Sequence, residues 1–207
     1  MMMLPNREEC LALFEKYKVP ANIRQHCGRV HRVSRVITGE LARGGVEIDV
    51  IFVERMALLH DLFKMVSIKE FGSGAHRGEI LSFEQISFWK GMKERFPAMT
   101  ETDVAYEVFK DQYPELAMAL KTLSKTTIQD SWEQMVVHYS DFRIFQNKVV
   151  SISERLAYLE MQYPHQPGWW TMYASEALAI EEKIFAHLKF KPEELALVVD
   201  AAQDVMQ

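Results

Sequence analysis

The sequence predicts an all-α fold. Apolar residues recur at spacings of three and four over most of the chain, the period of a helix face. Alternating apolar and polar runs are few and hairpin dipeptides scarce, so no strands are expected. Nine glycines and seven prolines fall mainly between the periodic segments, where they act as breaks.

A first short helix is expected from Arg7 to Tyr17. Pro20 precedes a longer one over 21–43, in which Ile23, His26, Val30, Val33, Ile37 and Leu41 share one face. Gly44-Gly45 ends it, since glycine adopts the left-handed conformation that closes helices. Asp49 is placed to cap the next helix, about 50–62, which carries His60-Asp61 at its end. Residues 64–82 read as an irregular loop interrupted by Gly72, Gly74 and Gly78. Helices follow at 83–95, 101–111 and 114–124, and another at 131–148 carries Met135, His138, Asp141 and Phe145. Ser151-x-x-Glu154 is a capping box for a helix to 162. Pro164, Pro167 and Gly168 mark a turn, a helix resumes over 169–188, and Pro192-Glu193-Glu194 opens the last one.

The 207 residues suit a single domain over 1–207, with the final forty or so, 161–207, as a peripheral helical extension. Hydrophobic residues make up 48% of the chain, enough for a core without disulfides, and Cys10 and Cys27 form no metal-binding or redox motif. A net charge of −5 argues against a nucleic-acid partner, which needs a basic surface. The N-terminal segment lacks the pattern of a signal peptide, and no apolar run reaches membrane-spanning length. A cytoplasmic protein without a membrane partner is expected.

The run Met56-Ala57-Leu58-Leu59-His60-Asp61-Leu62-Phe63-Lys64 places a histidine and a carboxylate directly after an apolar helical stretch. Burying such a pair is costly unless both are compensated, and a divalent cation does so. Two other polar residues lie among apolar ones. His26 shares the face of Ile23 and Val30, and by itself reads as a core histidine bonded to a carbonyl. Asp141, in Val137-His138-Tyr139-Ser140-Asp141-Phe142, by itself reads as a buried carboxylate paired with Arg143 or Arg155. His31, five positions after His26, turns away from it and is expected to be solvated. His138 reads as a core histidine or one bonded to a metal ligand.

Taken together, Val19-Pro20-x5-His26-x3-Val30, Ala57-Leu58-Leu59-His60-Asp61-Leu62-Phe63-Lys64, Tyr139-Ser140-Asp141 and the Ser151–Leu159 run resemble the HD-domain superfamily of metal-dependent phosphohydrolases. The resemblance covers roughly residues 19–160. It implies an HD-type helical bundle with extra C-terminal helices and one divalent metal held by His26, His60, Asp61 and Asp141. Two positions depart from the pattern. Phe63 stands where glycine is frequent, and only His76 and His138 lie between the His-Asp pair and Asp141, which favours one metal over two. The same shortage disfavours a di-iron oxygenase.

Two imidazoles and two carboxylates suit Mn, Co, Ni, Fe or Zn, and Mg less well. The implied activity is hydrolysis of a small phosphorylated substrate, a phosphomonoester or a nucleotide, through a metal-activated water. Asp61 is the candidate to orient or deprotonate that water, and Lys64 the candidate cation facing the phosphoryl oxygens. Arg29, His76 and Arg77 are candidate substrate contacts. The alternative is a non-catalytic HD-type regulatory protein that binds a metal or nucleotide, for which Phe63 and the acidic charge leave room.

Overall fold

The computed structural model describes residues 2–71, 80–123, 131–163, 165 and 168–204, and these form an all-α protein with eleven α-helices and a single two-stranded sheet. Among them, no helix is long and apolar enough to cross a membrane. The chain divides into two compact units, one of residues 1–28 and 55–125, the other of 29–54 and 126–207.

In the first unit, α1 (Arg7–Lys16) opens on a capping box in which Asn6 Oδ1 accepts from the Glu9 amide and the Glu9 carboxylate accepts from the Asn6 amide. The start of α2 (Ala21–Arg43) and the end of α3 (Val50–Leu59) also belong here. A short α4 (Lys64–Ser67) follows within the segment expected to be irregular, because Met65 and Val66 bury against the unit's core. α4 packs on α5 (Phe83–Arg95) and α6 (Glu101–Phe109), and α6 pairs with α7 (Pro114–Leu123). Ser82 and Thr100 cap α5 and α6 through reciprocal boxes. Ile23, Met56, Leu59, Leu62, Phe63, Trp89 and Phe109 are buried in this unit, and Phe63 packs edge-on against Tyr17 with ring centroids 4.7 Å apart. That packing accounts for a large aromatic at position 63.

The second unit holds the rest of α2, whose end is a Schellman motif. Gly45 takes a φ of 87°, Val46 N–H donates to Leu41 O and Gly45 N–H to Ala42 O. Asp49 Oδ1 caps α3 by accepting from Phe52 N–H at 2.9 Å. The expected helix over 131–148 is shorter. α8 (Trp132–Phe142) gives way to an antiparallel hairpin, β1 (Ile144–Phe145) and β2 (Lys148–Val149). Gln146 and Asn147 both have positive φ, 46° and 65°, the conformation of a tight hairpin turn that asparagine tolerates. The expectation of no strands is corrected at this one place. α9 (Ile152–Gln162) begins at the Ser151–Glu154 box, and α10 (Trp169–Phe185) packs on α8 and α9. A 3-10 turn at Pro192–Glu194 leads into α11 (Leu195–Asp204).

The buried Arg143 ties this unit together. Its guanidinium donates to the Val150 and Pro192 carbonyls, to the Tyr139 hydroxyl and to Glu181 Oε2 at 2.8 Å. His31 is also buried, at 6% exposure, and is not solvated as expected. Ser34 and Thr38 are buried on the same side, so α2 is covered over a wider arc than its apolar residues alone indicate.

Candidate metal centre

Two elements of the first unit supply the site. Ile23 and Cys27 anchor the start of α2 in the core, and His26 stands half-buried beside them. α3 buries Met56 to Leu59 and ends there, so His60 and Asp61 lie in the turn between α3 and α4 and not on a helix running to 62. The turn is closed by Leu62 N–H to Leu59 O and Lys64 N–H to Asp61 O. On a continuous helix adjacent side chains diverge by about 100°. The tightened turn lets neighbouring residues face a common point.

His60 is fixed from behind, with Nδ1 2.9 Å from the Ala57 carbonyl. A carbonyl only accepts, so Nδ1 carries a proton, and in the neutral ring Nε2 keeps its lone pair for a ligand. That Nε2 lies 3.3 Å from His26 Nε2, and Asp61 Oδ2 is 3.8 Å from each. The point equidistant from the corners of a triangle with sides 3.3, 3.8 and 3.8 Å lies about 2.1 Å from each, within the range of zinc–nitrogen and zinc–oxygen bonds. His26, His60 and Asp61 therefore form a candidate metal triad, all their ligand atoms lying within 4.8 Å of one another. Cys27 hydrogen-bonds His60, but burial pushes its thiol up, so it remains a neutral neighbour.

Asp61 divides its two oxygens. Oδ2 faces the histidines and Oδ1 lies 3.5 Å from Lys64 Nζ. Lys64 also reaches Glu101 Oε1 at 3.2 Å. Ser67 binds Glu101 twice, its hydroxyl donating to Oε2 and its Oγ accepting from the Glu101 amide at 3.0 Å. No sequence motif points to Glu101 as part of the site. Thr100-x-x-Asp103 marks it as the first residue of a helix, but nothing local links it to Lys64, 37 positions earlier.

Asp141 and Arg29 belong to the second unit. Asp141 is half-buried on α8 in the second unit, beside Phe142. Burial, together with the negative charge of Asp141, pushes the Tyr173 phenol up to about 12. Arg143, one of its two expected partners, binds Glu181. Arg29 donates from Nε to the Asn147 carbonyl at 2.8 Å and lies 3.5 Å from Asp200, within the second unit. His76 and Arg77 lie outside the described residues. His138 is half-buried, one turn before Asp141.

The chain matches no family model, no curated protein and no solved structure.

Proposed function

We propose that this protein is a metal-dependent phosphohydrolase of the HD type, acting on a small phosphomonoester or nucleotide. The observation that supports this most is the convergence of His26 Nε2, His60 Nε2 and Asp61 Oδ2 at metal-bond spacing, with Lys64 against the same carboxylate. The donor set suits Mn, Co, Ni, Fe or Zn better than Mg. A bound cation supplies an acidified water and polarises a phosphoryl oxygen. The residues provide the remainder. Ala57 fixes the ligating tautomer of His60, Asp61 orients or accepts a proton, and Lys64 sets a positive charge beside it. Asp141 as a fourth ligand rests on the family resemblance alone. As substrate contacts, Arg29 rests on its spacing three residues after His26, and His76 and Arg77 on their place in the segment after the His-Asp pair; Arg29 is also engaged by Asn147 and Asp200. The two cysteines are buried free thiols, in keeping with a reducing cytoplasm.

Purified protein loaded with Mn or Zn and assayed against nucleotides and phosphomonoesters tests the reading, with release of inorganic phosphate as the readout. Hydrolysis that disappears in Asp61→Ala while the fold persists supports it. A metal-loaded protein inert toward the whole panel counts against it. One observation favours the non-catalytic alternative: two carboxylates already engage the Lys64 ammonium. Tight binding of a nucleotide without turnover would select that alternative.

A further inference from the structure

We propose that Glu101 is a positioning residue for the metal triad, acting through Lys64 on Asp61. This rests on the metal reading above. A carboxylate with one oxygen toward a cation is oriented by whatever holds the other oxygen. Here Lys64 Nζ, 3.5 Å away, holds Asp61 Oδ1. Lys64 is in turn held by Glu101 Oε1 at 3.2 Å. Glu101 is rigidly mounted: it is the first residue of α6, where the helix N-terminus favours a carboxylate, and Ser67 clamps both its amide and its Oε2. The relay therefore runs from α6 through Glu101 and Lys64 to the oxygen of Asp61 that turns away from the histidines.

The charges give the direction of the effect. Asp61, Lys64 and Glu101 together carry one net negative charge. Without the charge of Glu101 the sum is zero, and Lys64 loses the carboxylate that draws it away from Asp61, where it competes with a cation. Both changes weaken cation binding. Removing Lys64 takes away the link through which Glu101 acts.

The test is Mn2+ titration calorimetry on the full chain and its E101Q, K64M and E101Q/K64M variants, with thermal melts alongside. E101Q is expected to weaken Mn2+ binding roughly tenfold or more, as loss of a group supporting a metal ligand does, and to have a several-fold smaller effect in the K64M background. Ser67→Ala, which alters no charge, is expected to weaken binding in the same direction by less. An E101Q loss that is equal in both backgrounds and parallels a fall in Tm would show a merely structural role and overturn the proposal. So would unchanged affinity in E101Q. Wild-type protein that binds no Mn2+ would overturn the metal reading itself, and the positioning role with it.

Discussion

His26 and His60 hold their Nε2 atoms 3.3 Å apart, and the Nδ1 of His60 is committed to the Ala57 carbonyl. Two imidazole nitrogens at this separation repel unless a proton or a cation lies between them. A cation that binds only the folded chain stabilises it by mass action, by about 2.7 kcal/mol at a hundredfold excess over Kd. Adding Mn2+ or Zn2+ should therefore raise Tm by several degrees. In His60→Ala the rise should be absent, and thermal melts with and without metal check this.

Asp61→Asn retains the shape of the side chain and removes its charge from both the histidines and Lys64. If the protein hydrolyses phosphate esters, the substitution should lower kcat/KM by about a hundredfold or more, the range of a lost general base. Steady-state kinetics and circular dichroism separate loss of chemistry from loss of fold.

Phe63 is 1% exposed and packs against Tyr17 and Phe109. Phe63→Ala should cost about 3–5 kcal/mol, the range for emptying an aromatic core site, and urea denaturation measures it. A cost below about 1 kcal/mol would mean that the aromatic does not hold the turn carrying His60 and Asp61.

The helices were legible where their causes are local. The face of Ile23 to Leu41, the Gly45 stop, the Asp49 cap and the Ser151–Glu154 box all act within a few residues. The hairpin at Gln146-Asn147 leaves no trace in the sequence pattern, because its strands are two residues each, too short to show alternation. The apolar pattern runs on through Leu62 and Phe63, which are buried from a turn, so it extends past the end of α3 at Leu59. The spacing of His31 from His26 turns it away from that residue but does not show what packs on its side of α2, where it is buried. In the site, the His-Asp pair and His26 stood out as polar residues within apolar runs. Glu101 did not, since its role depends on a contact with Lys64 that only the tertiary fold creates.

Burial, with Asp141 adding to it, raises the Tyr173 phenol to about 12, against about 10 in an unfolded chain. The folded state thus keeps a proton that the unfolded state releases. Its contribution to stability is complete below pH 10 and is lost as pH rises toward 12. Urea midpoints from pH 8 to 11 should fall at the alkaline end, and Tyr173→Phe should flatten that fall. Parallel declines in the two proteins would contradict the assignment.

The central claim is that His26, His60 and Asp61 bind one divalent cation. Anomalous diffraction from crystals grown with Zn2+ or Mn2+ tests it most directly. The expected result is one peak about 2.0–2.3 Å from His26 Nε2, His60 Nε2 and Asp61 Oδ2 together. A fully loaded crystal with its peak elsewhere, or with no peak among these three residues, would contradict it.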